Sequence, residues 1–414
     1  MVQHAVGQGG LHCGELTLGQ KPLRWVYDCG SNQADALKRE VGSVARGGEI
    51  DLLFLSHLDS DHVNGVDLLL SQVRVREVIL PYLNEETLVA TIARDVSRGA
   101  LTGVLVEAVS DLSGWFGSRG VETVTFVDDS DDEGGDGPDV PDAPIGGGDG
   151  DCTAKWTGEQ VPLPETSSVS QTGKGTAKMR RVFRGAALLV MTPGGQLNWA
   201  LVPYVHKPSA ALMKAFNDAL DAEFSKGTDK RAIAQSAKDP AVRERLRNCY
   251  DSLWADHNLI SMTLYSGPIT PESMEVDICT CRRYPYWHTQ HEWRDFGGWM
   301  LTGDAHLDGL SRRQGFLKFY RRFSGLTSAL MVPHHGSVHN HSDEVLNAMP
   351  ELRVGYAAAG PNNYGHPHNE VRDAVRAHHY AFFHQVDHRQ FNQIVMNVRK
   401  RRLGGISYNQ VLES

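Results

Sequence analysis

The chain predicts a mixed α/β (α+β) fold, and three observations carry that expectation. Short apolar runs close on polar or glycine-rich loops, as at Asp51-Leu52-Leu53-Phe54-Leu55, Val78-Ile79-Leu80 and Trp299-Met300-Leu301. Segments of helical length and composition lie between them, which is the sign of strands alternating with helices. A stripe of Leu212, Phe216, Leu220 and Phe224, recurring every four residues, marks a further helix.

In chain order, residues 1–30 predict two or three hairpin strands, with Gly7, Gly9, Gly10 and Gly19-Gln20 as turn points. A short helix is expected over 33–47, a strand over 50–56 and a helix over 64–73. Another strand ends at Pro81, helices follow over 85–99 and 104–116, and 122–127 is a strand. Residues 155–184 form a polar stretch of low periodicity, expected as a loop or extended arm. A hairpin turns at Pro193-Gly194-Gly195, between strands 185–193 and 197–206. Residues 208–255 predict a helical insertion broken at Pro240, and Asn258 to Tyr265 alternates like a strand. Ordinary packing is the expected fate of the helical stripe; a lid or a surface for a protein partner is the alternative. Residues 268–295 form a second insertion, in which Arg282, Arg283, Tyr284, Tyr286, Trp287, His288, His291 and Trp293 interleave charge and aromatic rings. Such a surface suits stacking of bases, and a partly buried aromatic cluster accounts for it equally well.

The chemistry concentrates in Ser56-His57-Leu58-Asp59-Ser60-Asp61-His62, at the mouth of the strand 50–56. His57 and Asp59 are expected to project together, and Asp61 with His62 on the other side. Imidazole and carboxylate are the ligands of divalent metals of borderline or hard character. Two such ions about 3.5–4 Å apart can generate hydroxide and clamp a phosphoryl group. A polar turn capping the next helix is the plain alternative.

The ordered motifs go further. His-x-Asp-x-Asp-His is followed by Asn64-Gly65; before it stand Val6-Gly7-Gln8-Gly9 and Trp25-Val26-Tyr27-Asp28-Cys29-Gly30. After it come Thr302-Gly303-Asp304-Ala305, Pro333-His334-His335-Gly336-Ser337 and Gly365-His366-Pro367. This series resembles the metallo-β-lactamase superfamily, and most closely the soluble hydrolase domain of ComEC-type DNA-uptake proteins. The likeness covers roughly residues 1–90, 185–206 and 256–400. It implies an αββα sandwich of two mixed β-sheets with outer helices, in one domain over 1–414. It implies two divalent metal ions, Mn²⁺ or Zn²⁺ and possible Mg²⁺. His57, Asp59 and His334 would hold one ion; Asp61, His62 and His366 would hold the other; Asp304 would bridge them. Asp28 would steady a ligand histidine from behind. Asp61, His335 and Asp304 are the candidate catalytic residues, with Ser337, Asn363 and Tyr364 touching substrate. Asp59 replaces the family's usual histidine, which makes the site richer in oxygen and favours Mn²⁺ or Mg²⁺. The implied activity is a phosphodiesterase or nuclease acting on nucleic acid or nucleotides through metal-generated hydroxide. A hydrolase of a small ester, thioester or lactam, and an assembly protein that retains its metals, are the alternatives.

Charge does not oppose a polyanionic substrate. The net charge is −9, but residues 128–151 carry ten acids and no base, so the rest of the chain is about one charge positive. That segment, rich in Gly, Pro and Asp, has little to bury, and 128–184 is expected as a flexible acidic and polar insertion. No apolar run reaches 18 residues, which predicts no membrane insertion. Met1-Val2-Gln3-His4 shows no basic or apolar leader, and six scattered cysteines suit a reducing compartment, so a cytoplasmic location is expected.

Overall fold

The computed structural model describes residues 1–82, 85–97, 111–129, 137–143, 148, 150–163, 175–206, 210–251, 260–272, 274–281, 288–378, 381–390 and 393–399. Among them, two large mixed sheets account for most strands. The first runs His288–Asp295, Met274–Cys281, Gln393–Arg399, Val2–Gln3, His12–Leu16, Leu23–Tyr27, Ile50–Phe54, Val75–Pro81, Thr123–Asp128, Lys178–Phe183, Gln160–Pro162. The second runs Phe382–Val386, Val354–Ala358, Thr327–Met331, Gly298–Leu301, Met262–Gly267, Gly195–Val205, Leu188–Thr192, Thr153–Trp156.

Period-two alternation explains why the sheets stack. Trp25, Tyr27, Leu52, Phe54 and Ile79 of the first sheet share one buried cluster with Leu201, Leu264, Trp299, Leu301, Met331 and Tyr356 of the second. Their strand neighbours Val26, Leu53, Val78 and Leu80 point the other way, into a cluster with Leu37, Val41 and Val44 of helix Ala34–Arg46 and Leu69 of helix Val66–Gln72. On the far side, Ala200, Val202, Met300 and Leu330 meet Phe316 and Phe319 of helix Leu310–Phe319 and Val371 and Val375 of helix Asn369–Ala377. A strand covered on both faces reads as a continuous apolar run. Hydrogen bonds tie the sheets together, among them Tyr27 Oη donating to the Met262 carbonyl at 2.6 Å and Met262 N–H donating to the Ser56 carbonyl at 2.7 Å.

The helical stripe is spent on packing. Phe216, Leu220 and Phe224 of helix Ala210–Phe224 are buried with Val89, Ile92 and Val96 of helix Glu85–Ser97 and Leu246 of helix Pro240–Asp251. Leu212, the first residue of the stripe, is half-buried against the same cluster.

Three expectations change. The stretch 155–184 is not devoid of regular structure: Thr153–Trp156 pairs with Leu188–Met191, and Lys178–Phe183 pairs parallel with Thr123–Asp128. Its strands escaped detection because they lie near sheet edges, where one face stays polar. Within 268–295, strands Met274–Cys281 and His288–Asp295 pair antiparallel and widen the first sheet beside Gln393–Arg399. Of its aromatic and basic residues, 282–287 lie outside the described residues. Helix Leu112–Gly117 is the described part of the helix expected over 104–116, and much of the acidic 128–151 segment likewise lies outside the described residues. Among the described residues no helix is long and apolar enough to cross a membrane.

Candidate metal centre

Five strands end at one place. Leu23–Tyr27 delivers Asp28, Ile50–Phe54 delivers the loop from Ser56 to His62, and Gly298–Leu301 delivers Asp304. Thr327–Met331 delivers His334 and His335, and Val354–Ala358 leads toward His366. Both sheets therefore contribute the carboxyl ends of their strands, where open α/β sheets hold ligands.

Asp304 is the hub and is buried. Its Oδ2 lies 3.5 Å from His57 Nε2 and 3.6 Å from His334 Nε2; its Oδ1 lies 3.3 Å from His62 Nε2 and 3.8 Å from His335 Nε2. Asp59 Oδ2 stands 3.4 Å from His57 Nε2, and Asp61 Oδ2 stands 3.3 Å from His335 Nε2. Six ligand-capable side chains thus surround one carboxylate.

The far nitrogen of each ring settles which nitrogen faces inward. His335 Nδ1 lies 2.8 Å from the Ala358 carbonyl, which only accepts, so Nδ1 carries the proton. Asn340 Nδ2 donates to the carbonyls of Asp304 and Ala305 at 3.2 and 3.4 Å, so its Oδ1 accepts from His334 Nδ1 at 3.0 Å. Ser56 Oγ donates its single proton to Asp28 Oδ2 at 2.8 Å and therefore accepts from His57 Nδ1 at 2.8 Å. His62 Nδ1 donates to the same Asp28 oxygen at 2.8 Å, and Ser56 N–H donates to Asp28 Oδ1 at 2.7 Å. All four rings turn Nε2 toward Asp304. This is the tautomer a metal needs, held from behind as metal-ligating histidines usually are.

The spacing fits a cation better than hydrogen bonds. Nε2 of His57, His62 and His335 is buried and meets no partner at hydrogen-bond geometry. Ligands about 2.0–2.1 Å from a tetrahedral zinc stand about 3.3–3.4 Å apart, close to the separations found here. His57, His62 and Asp304 could hold an ion, and so could Asp61, His62 and His335.

Electrostatics points the same way. Burial and His62 both disfavour a charged His57, yet Asp59 and Asp304 outweigh them and hold its pKa up at about 9. Burial likewise opposes a charged His62, and Asp304 and Asp28 raise it well above the ordinary value. Burial favours a neutral Asp304, but His334, His62 and His57 keep its carboxyl well below the usual range. Asp61 is lowered against its burial, chiefly by His335. With no other positive charge present, the carboxylates draw protons onto the rings; a divalent cation answers the same demand.

The backbone is bent to make this cluster. His334 and His335 both sit in the left-handed region, at φ 49° and 56°, with Gly336 at 87°. Successive residues of extended chain point apart; two left-handed residues bring both rings onto Asp304. Such conformations cost on the order of 1–3 kcal/mol each and collect at functional sites. Asp28 is also left-handed, at φ 59°. Glycines leave room nearby. A Cβ on Gly10 would stand 2.7 Å from Asp28 Cβ and 3.1 Å from His62 Nδ1, and Gly303 takes φ 51° just before the hub.

The expected residues do not all fall where expected. His57, Asp59, Asp61, His62, Asp304 and His334 come together. His335, expected near the substrate, takes the place beside Asp61 and His62 expected for His366. His366 instead stands at the rim, its ring centre 5.4 Å from that of His334 and 6.5 Å from that of His335. Burial, then the neighbouring His334, His335 and His368, push its pKa down to about 3, so it stays neutral. Asn363 and Tyr364 lie exposed on this rim, while Ser337 is buried below. Asn340 and the proton-relaying role of Ser56 were missed. Asn340 follows His334 by six residues with no motif to flag it, and Ser56 is a plain serine whose partner Asp28 is 28 residues away.

The fold and site thus define a mixed α+β protein with a buried His/Asp cluster competent to bind metal. No protein-family model matches the chain and no curated protein matches it, so its function rests on the site itself.

Proposed function

We propose that the chain is a metal-dependent hydrolase of the metallo-β-lactamase type, cleaving phosphodiesters in nucleic acid or nucleotides. One observation carries this reading: the two oxygens of Asp304 address different histidine pairs, each pair with its own further aspartate. His57, Asp59 and His334 form one half-site around Oδ2; Asp61, His62 and His335 form the other around Oδ1. That division supports a pair of cations sharing one carboxylate. Bound there, such ions polarise a phosphoryl oxygen and lower the pKa of water.

The remaining work belongs to the chain. Asp28, Ser56, Asn340 and the Ala358 carbonyl hold four rings in register. The Asp61 side chain is 20 % exposed, against 3 % for Asp304 and 6 % for Asp59. Asp61 is therefore the carboxylate placed to accept a proton from an incoming water. His366 and Tyr364 flank the approach, their ring centres 5.7 Å apart, with Tyr364 71 % exposed and suited to stacking on a base. Three aspartates among seven ligand candidates favour Mn²⁺ or Mg²⁺ over softer metals, and phosphoryl chemistry over lactam hydrolysis.

The test is cleavage of bis-p-nitrophenyl phosphate, single-stranded DNA and RNA in Mn²⁺, Mg²⁺ or Zn²⁺. Turnover that disappears in Asp304→Asn is expected. Cleavage of acyl esters alone would replace this reading with the small-ester hydrolase.

A further inference from the structure

We propose that Cys13 is a reactive thiol, activated by His4 with Glu40 as the orienting carboxylate, and that it is a site of oxidation by hydrogen peroxide. The site is separate from the metal centre and does not rest on the hydrolase reading.

The first sheet brings the three residues together on its outer face. Strands Val2–Gln3 and His12–Leu16 pair antiparallel with Cys13 opposite Val2, and the His4 N–H donates to the Leu11 carbonyl at 2.9 Å. Residues opposite one another share a face, and diagonal neighbours on that face lie within reach. His4 and Cys13 are such neighbours, and their side chains are hydrogen-bonded. Cys13 packs on the cluster of Val26, Leu37 and Val41, which places this face under helix Ala34–Arg46. That helix supplies Glu40, whose Oε2 lies 3.1 Å from His4 Nδ1. Arg39 Nε donates to Glu40 Oε1 at 2.9 Å. Burial favours a neutral Glu40, but His4 and Arg39 keep its carboxyl below the usual range. A carboxylate only accepts, so His4 Nδ1 carries the proton and Nε2 is the nitrogen left for the thiol.

Nucleophile, base and orienting group thus stand in a row, the arrangement that activates a thiol. His4 and Glu40 are each 8 % exposed, whereas Cys13 is only half-buried. Burial opposes charge on His4, yet Cys13 and Glu40 outweigh it and hold its pKa up at about 9. An imidazolium beside sulfur favours the thiolate, the reacting form. Other cysteines stand in contrast. Cys29, Cys152 and Cys249 are buried, and burial pushes each of their thiols up, the setting of an inert cysteine.

In the reaction the thiol proton passes to His4 and the sulfur attacks one peroxide oxygen. An S–O bond forms and the O–O bond breaks; the leaving oxygen takes the proton from His4 and departs as water. Sulfur is oxidised by two electrons to a sulfenic acid, and the peroxide is reduced. Charged and titratable groups around the trio include Arg39, the Met1 amine, His12, Glu15 and Cys29, and none of them is altered in the variants below.

Full-length protein stripped of metal with EDTA is treated with iodoacetamide from acid to alkaline pH, and each cysteine peptide is followed by mass spectrometry. At neutral pH, His4→Gln is expected to slow Cys13 at least about tenfold and Glu40→Gln about threefold, with both rate profiles moved to higher pH. Glu40→Asp should restore part of the rate. Thermal melts confirm that each variant is folded. Hydrogen peroxide followed by dimedone should leave an adduct on Cys13 of the native chain and about tenfold less in His4→Gln. Equal Cys13 rates and profiles in native and folded His4→Gln chains, or no dimedone adduct on native Cys13, overturn the proposal. A Glu40→Gln chain that is slowed without movement of its profile overturns the orienting role of Glu40.

Discussion

The two halves of the metal centre are built on different plans. The half from the first sheet is compact: His57, Asp59, Asp61 and His62 come from one loop, and both histidines are steadied through a single buried carboxylate. Asp28 binds His62 directly and His57 by way of Ser56. The half from the second sheet is dispersed. Its histidines are neighbours in sequence but have separate supports, Asn340 for His334 and the Ala358 carbonyl for His335. A shared support makes two ligands fail together; separate supports let each fail alone.

Breaking the hub should have the largest effect, because both halves converge on it. In Asp304→Asn, metal per chain measured by elemental analysis is expected to fall to background; retention of metal would show that the halves bind independently of Asp304. Next is the contest between His335 and His366. His335→Ala is expected to weaken metal binding by a hundredfold or more, and His366→Ala by less than threefold. The reverse order would return His366 to the place its motif suggested. Asp28→Asn keeps a residue type that tolerates left-handed backbone while removing the charge. Because it disturbs His57 and His62 at once, a loss of about 10–100-fold in metal affinity is expected.

Acidity sharpens the comparison further. Without metal, the His57 pKa is held at about 9, so a cation must displace a proton from it at neutral pH. Affinity should therefore rise as pH rises toward 9, by at least about tenfold per pH unit. In Asp28→Asn that slope should flatten, since Asp28 also raises His62. A slope of zero in the native chain would show that the rings are already unprotonated. The smallest effect is expected for Asn340→Ala, about tenfold on affinity, because it releases only His334.

The same division explains what could be read from the sequence. The first-sheet half was legible because a strand and a tight loop pack four ligands into six residues, and spacing alone brings them together. Asp304 was legible as the end of an apolar strand. The placing of His335 beside Asp61 and Asp304 was not, because it depends on two consecutive left-handed residues, a conformation that no side-chain pattern announces for histidine. Strands such as Ile50–Phe54 and Gly298–Leu301 stood out because they are covered on both faces. Lys178–Phe183 and Gln160–Pro162 did not, because strands at and next to a sheet edge keep polar side chains and lose the apolar signal.

The left-handed pair at His334 and His335 acts as a ruler. Its two rings reach opposite oxygens of one carboxylate from adjacent α-carbons, so a single planar peptide unit sets the distance between the two half-sites. Packing elsewhere can loosen without changing that gauge. A longer or shorter connection at this point would alter the interval itself, so tolerance to insertion should be lower here than anywhere else around the cluster.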